Sequence, residues 1–258
     1  MMTRVLRRVG LPGVLCPCVL CVCVLGLCVL MSDVSASASA PRFALMETGN
    51  FPGFLDDRGG DVAPPSPGEL WLGLFPTRQG YELRPARLVV SVTSEVAGNG
   101  TNEPPQTMTV IAVRGPRQPI FLLKTGGRLS PGPVPTAFAG ELFLEPDKFV
   151  RLLLGDRDYL LDVKPTSSAS SASSTTSSEE GSPVSLTLEG QPFFEGQLYR
   201  DHPTWHLIWA GDLDRDGKLD LYLELGGDVG VNRRLFLSSA AKKNEPIGLA
   251  ASFSTLGC

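Results

Sequence analysis

Between residues 212 and 220 the chain reads Asp-Leu-Asp-Arg-Asp-Gly-Lys-Leu-Asp: four carboxylates at positions 1, 3, 5 and 9, and a glycine at position 6. Such a run belongs to a tightly turning loop, because alternate side chains of such a loop point inward. Asp212, Asp214 and Asp216 then converge on one point, where like charges repel strongly unless a cation sits among them. Gly217 permits the sharp turn because it has no Cβ to clash at positive φ. An all-oxygen donor set at this spacing is that of calcium, a hard cation that takes about 6–8 oxygens from carboxylates, backbone carbonyls and water. Lys218 gives its backbone carbonyl while its side chain faces water, and Asp220 closes the site with both carboxylate oxygens.

The flanks separate the loop families. An EF-hand requires a bidentate Glu at position 12 and helices on both sides, and position 12 here is Leu223. Trp205-His206-Leu207-Ile208-Trp209-Ala210 precedes the loop, and Leu219-Asp220-Leu221-Tyr222-Leu223-Glu224-Leu225 follows it. The second run alternates with period two, a strand pattern that puts the leucines on one face and Asp220, Tyr222 and Glu224 on the other. The loop therefore joins two strands. Gly211 to Leu221 resembles the calcium loop of FG-GAP and VCBS-type repeats, as found in integrin-like propellers and in many exported bacterial proteins. The resemblance implies a calcium ion on Asp212, Asp214, Asp216, the Lys218 carbonyl and Asp220. It covers roughly one-twelfth of the chain and names no activity. The loop occurs once, and a propeller requires an array of such units. The Leu-Phe-Leu-Ser-Ser run at 235–239 adds a likeness to other exported bacterial proteins.

The N-terminus carries Arg4, Arg7 and Arg8, then an apolar run from Cys18 to Met31, then Ser35-Ala36-Ser37-Ala38-Ser39-Ala40. This is the order of a secretory signal, with cleavage expected after Ala38 or Ala36. The apolar run is short for a membrane span of about 20 residues, so no span is expected after cleavage. A lipoprotein signal would need a small residue before Cys28, where Leu27 stands. Five of the six cysteines (Cys16, Cys18, Cys21, Cys23, Cys28) lie in this segment and act there as apolar filler, which leaves Cys258 and no internal disulfide. Removing Arg4, Arg7, Arg8 and Asp33 from 23 basic and 27 acidic residues leaves 20 against 26, a net charge of −6. That balance opposes a nucleic acid or an anionic membrane as partner.

The rest reads as all-β, an antiparallel sandwich or barrel-like domain with the calcium-loop hairpin near its C-terminus. Strand-like segments fall at Leu70–Phe75, Tyr81–Leu83, Leu88–Val92, Met108–Val113, Ile120–Leu123, Glu141–Leu144, Phe149–Leu154 and Tyr159–Val163, with Gly and Pro turns between them. The domain reading is a signal peptide over 1–38, a β domain over 39–165, a low-complexity segment over 166–183 and a C-terminal β segment over 184–258 that carries the loop. Residues 166–183 are rich in Ser, Thr and Ala and cannot bury enough apolar surface to offset ordering. They either link two domains or interrupt a hairpin. The hairpin reading is preferred, because Tyr159–Val163 and Val184–Leu188 are then free to pair within one domain.

No nucleophile elbow, phosphate loop or dinucleotide glycine pattern is present. His202 and His206 have the i, i+4 spacing of a helical zinc half-site, but Pro203 and the strand context make them surface or packing residues. Asn99-Gly100-Thr101 fits a glycosylation sequon, and Asp56, Asp57 and Asp61 form an acidic patch. Trp205 and Trp209, four apart in a strand, are expected on one face as core, with a sugar platform as the alternative. The functional expectation is an exported calcium-binding β protein without catalysis that meets a protein or glycan partner. The alternative is a calcium-stabilised secreted hydrolase, with carbohydrate as one candidate substrate class.

Overall fold

The computed structural model describes residues 43–51, 65–95, 106–166, 182–198, 205–226 and 231–255. The signal segment, its cysteines, Cys258, the sequon, the acidic patch, His202 and residues 167–181 lie outside them. The described chain is almost entirely antiparallel strand. Three sheets form. The first takes β1 (Ala44–Met46), β2 (Gly49–Phe51), β3 (Leu70–Thr77), β4 (Gly80–Glu95), β5 (Gln106–Val113), β6 (Leu122–Lys124) and β7 (Gly132–Val134), ordered β1-β6-β3-β4-β5-β2 with β7 beside β4. The second is β12-β11-β10-β9, from β9 (Phe149–Leu154), β10 (Arg157–Pro165), β11 (Ser182–Leu188) and β12 (Gln191–Leu198). The third is β16-β15-β14-β13-β8, from β8 (Thr136–Phe143), β13 (Trp205–Gly211), β14 (Asp220–Leu225), β15 (Val231–Leu237) and β16 (Gly248–Thr255). Among the described residues no helix is long and apolar enough to cross a membrane.

The third sheet carries a core on each face, and strand alternation is the reason. Leu221, Leu223 and Leu225 of β14 pack with Leu161, Val163, Leu186 and Leu188 of the second sheet. Tyr222 turns the other way, into a core with Leu74, Leu83 and Leu123 of the first sheet and with Phe121, which stands just before β6. Phe121 lies against Tyr222 at 4.6 Å and against Trp209 at 6.1 Å between ring centroids. A polar-looking position such as Tyr222 is thus fully buried, its hydroxyl donating to Glu47 Oε1 at 2.6 Å. Each leucine so removed from water contributes about 1.5–3 kcal/mol.

Two local departures from the sequence reading have plain causes. Trp205 and Trp209 do not share a face. β13 bulges between Leu207 and Trp209 against both of its neighbours, and a one-residue bulge reverses every side chain beyond it. Trp205 therefore enters the core shared with the second sheet and Trp209 the core shared with the first. Both are 1% exposed or less, which excludes a sugar platform on their rings. The expected strands Tyr81–Leu83 and Leu88–Val92 are one strand, β4. Pro85 falls between the stretch of β4 paired to β7 (81–83) and the stretch paired to β5 (88–95). A missing N–H is tolerated in such a gap. β10 and β11, which flank residues 167–181, pair from Leu161↔Leu188 to Pro165↔Val184, and Thr166 N donates to Pro183 O at 3.1 Å.

Candidate metal centre

The loop 212–219 caps the β13–β14 hairpin, and it is wound by its own first carboxylate. Asp212 Oδ1 accepts from Asp216 N at 2.9 Å, and Asp212 Oδ2 accepts from Gly217 N at 3.0 Å. Asp216 Oδ1 accepts from Lys218 N at 2.9 Å. Gly217 sits at φ 81° and Arg215 at φ 62°. The glycine takes that left-handed turn freely, whereas Arg215 adopts it against the preference of a side-chain-bearing residue. The winding leaves carboxylate oxygens of Asp212, Asp214 and Asp216 within 4.8 Å of one another. Asp212 is buried, Asp214 half-buried and Asp216 exposed, so the cluster opens to solvent on one side. This triad can hold a metal ion.

The remaining residues expected at the site fall differently. The Lys218 side chain is exposed, as expected for a residue that offers only its backbone. Asp220 stands outside the 4.8 Å group. Its fully buried carboxylate receives Leu213 N on Oδ2 at 2.7 Å and Ser238 N on Oδ1 at 2.8 Å. It thereby ties the loop to the short 3-10 turn Ser238–Ala240 that follows β15. Each carboxylate oxygen retains a second lone pair, so this tie and contact with a cation are compatible.

Three contributors escape sequence reasoning. Ser238 Oγ donates to Asp216 Oδ2 at 2.5 Å, and Ser239 Oγ donates to Asp214 Oδ2. Nothing in the spacing of a loop near 215 points to serines more than twenty residues on. The signal that could have found them is register: Leu221 pairs with Phe236, so Asp220 abuts the residues just after β15. The third is Arg215. Its Nε donates to Pro133 O and its Nη2 to Ser130 O, both at 3.0 Å, latching the loop to the segment before β8. Arg215→Ala is expected to cost about 1 kcal/mol, since the exposed guanidinium makes two hydrogen bonds that solvent partly screens. Arg215→Gly would lose the same latch but relieve the backbone, and should be the milder variant in urea denaturation. Equal stability of wild type and Arg215→Ala would refute the latch.

The electrostatics of the cluster call for positive charge. Burial, followed by the charges of Asp216 and Asp214, pushes the Asp212 carboxyl up against the two amides that pull it down. Burial, then the Asp214 charge, holds Asp220 well above the usual carboxylate range. Groups raised on folding give stability that is fully present below about pH 4, the ordinary Asp value, and lost as pH rises through their folded values. In chelator, then, the melting-temperature advantage of wild type over Asp220→Asn should shrink as pH is raised from 4 to 7. A difference that stays flat across that range would contradict this account.

A second ionic group lies between the first and third sheets. Arg233 pairs with Glu47 at 3.1 Å and with Glu224. Glu224 also stands 3.8 Å from His206 Nδ1, and Glu141 stands 3.7 Å from Nε2. The His206 ring lies 5.6 Å from that of Phe143, a packing role within β13 and β8. Glu47 and Glu224 share one guanidinium, which offsets one of their two negative charges. No family model, curated protein or solved structure matches the chain.

Proposed function

We propose that this chain is an exported β protein whose β13–β14 loop binds one calcium ion, and that the ion braces a surface which meets a protein or glycan partner without catalysis of its own. The observation that carries the reading is the convergence of the Asp212, Asp214 and Asp216 oxygens within 4.8 Å. The donor set is entirely hard oxygen, which favours calcium over softer transition metals. The Lys218 carbonyl, the free lone pairs of Asp220 and water would complete the shell. The likeness of residues 211–221 to FG-GAP and VCBS-type loops supports the same ion. Export rests on the basic, apolar and Ala-x-Ala order of the first forty residues.

The structural logic is local. The loop joins two central strands of the third sheet, and the Ser238–Ala240 turn and the segment before β8 both hang from it. A cation there neutralises the repulsion among carboxylates and fixes three chain segments together. Binding to the folded state alone adds RT ln(1 + [L]/Kd). For an extracellular-type site with Kd of about 10⁻⁴ to 10⁻³ M, 1 mM calcium adds about 0.4–1.4 kcal/mol. The expected result is a rise in melting temperature of about 1–5 °C over chelator. Asp216→Ala should abolish most of the rise, and magnesium should give little of it because it demands a tighter octahedron. Identical melting in calcium and in chelator would remove the central claim.

A further inference from the structure

The second sheet ends in a strand edge that has no neighbour among the described residues: β9 pairs with β10 alone. Leu152 and Leu154 of β9 turn inward, to the core that holds Tyr159, Leu161 and Val163 of β10. Alternation then sends Phe149, Arg151 and Leu153 outward, together with Asp158, Leu160, Asp162 and Lys164 of β10. Three of these outward side chains are apolar, yet Phe149 is 68% exposed, Leu153 58% and Leu160 42%. Register draws them together. Leu160 lies opposite Arg151, so Phe149 and Leu153 are its two diagonal neighbours, about 7–8 Å away and within reach of long side chains. The charges around this triangle cancel in pairs. Arg151 Nε donates to Asp158 Oδ1 at 2.9 Å and its Nη2 donates to Asp158 Oδ2. Lys164 stands 3.3 Å from Asp162. Glu189 accepts from the Leu160 amide at 2.6 Å, on the side away from β9.

Edge strands ordinarily carry a device against further pairing, such as a proline, a bulge or an unpaired charge. β9 has none of these. Its sequence Phe-Val-Arg-Leu-Leu-Leu holds no proline, and its register against β10 runs unbroken from Phe149↔Asp162 to Leu154↔Arg157. Its single charge is tied to Asp158. Such a strand is a template for another, and charge and symmetry select which. The chain has a net charge of −4, so two copies repel through much of their surface, but at this edge opposite charges already pair within each copy. A second copy therefore meets no excess of like charge on β9. Residues directly opposite in an antiparallel pair point to the same side. A two-fold contact thus sets Phe149 and Leu153 of one copy on the same face as those of the other. We propose that β9 pairs antiparallel with β9 of a second copy across a two-fold axis, joining two four-stranded sheets into one of eight strands with Phe149, Leu153 and Leu160 of both copies at its apolar centre. Three side chains of this exposure offer about 300 Å², below the roughly 800 Å² per partner of a standard interface, so the dimer belongs to the weak, reversible class. The inference goes beyond the calcium reading and does not rest on it.

The test is sedimentation equilibrium of the full chain, in reducing buffer so that its cysteines cannot link copies. A reversible monomer–dimer equilibrium with Kd of about 1–100 µM is expected, and it should be the same in calcium and in chelator. Leu153→Lys puts an unpaired charge into the contact from each copy and should weaken the dimer by about tenfold or more. Phe149→Lys should do the same. Both side chains are exposed, so neither substitution should change the melting temperature measured where the wild type is monomeric. Arg151→Glu leaves an excess of negative charge on the edge and should abolish the dimer, and adding Asp158→Arg, which rebuilds the pair with reversed polarity, should restore it. A chain that stays monomeric at about 1 mM, whether or not another protein adds to its edge, would overturn the proposal. So would association that survives both lysine substitutions, because contact through the apolar N-terminal run or any other surface is untouched by them. A charge-swapped double variant that remains monomeric would overturn the argument that selects a second copy as the occupant.

Discussion

Asp220→Ala should lower stability by about 2–4 kcal/mol, and by nearly the same amount in chelator as in calcium. The Asp220 side chain is fully buried and satisfies the amides of Leu213 and Ser238 at 2.7 and 2.8 Å. Truncation leaves both amides without an acceptor, at about 1–3 kcal/mol each, and the cost is partly offset because a desolvated carboxylate is removed as well. For a domain of this size that corresponds to a fall in melting temperature of about 5–15 °C. The medium is the discriminating variable. If Asp220 acted only as a ligand, Asp220→Ala in chelator would match wild type in chelator or exceed it, because the repulsion from Asp214 would be relieved. If it braces the amides, the deficit persists without metal, and calcium then adds a smaller increment than in wild type. Asp214→Asn supplies the contrast: it should leave stability in chelator unchanged or improved and reduce only the calcium increment.

The difference between Asp220 and its neighbours marks where sequence reasoning reaches its limit. The convergence of Asp212, Asp214 and Asp216 follows from alternation in a short loop with Gly217 at its turn, a local property of nine residues. The leucine face of β14 is equally local, a period of two read over seven residues. What Asp220 touches is not local, because Ser238 reaches it only through the β14–β15 register. The same holds for Arg215, whose partners at Ser130 and Pro133 precede it by more than eighty residues. Trp205 and Trp209 show a different limit. Their common face follows from an unbroken strand, and a single bulge at Ile208 undoes it, a feature that two sheets packing on opposite faces of β13 make favourable and that no residue in the run announces. Alternation also assigns Tyr222 and Asp220 to the face opposite the leucines, without revealing that both faces are covered. That requires a third sheet, and sheet count depends on long-range pairing such as β8 with β13.

Gly211→Ala tests the approach on which the whole site depends. Gly211 is the last residue of β13, next to Asp212, and a Cβ there would lie 2.4 Å from Pro135 O and 2.4 Å from Cζ2 of Trp209. Neither neighbour can yield cheaply. Pro135 O accepts from Asp212 N at 2.8 Å, and Trp209 is fully buried against Phe121. One added methyl must therefore move backbone or displace a core tryptophan, which places the cost near the upper end of overpacking, about 3 kcal/mol. The displacement would carry function with it, because pushing the 133–136 segment away strains both the Asp212 amide and the Arg215 latch that hold the loop in shape. Calcium should then stabilise the Gly211→Ala variant less than wild type, even though every carboxylate is intact. Urea denaturation in calcium and in chelator measures both quantities on one protein. Stability within about 0.5 kcal/mol of wild type, the range of an ordinary surface change, would mean that β8 does not press on the loop as closely as Gly211 requires. A large loss of stability with an undiminished calcium increment would instead separate the packing of β13 from the metal centre, and would leave the loop's own hydrogen bonds as the sole source of its geometry.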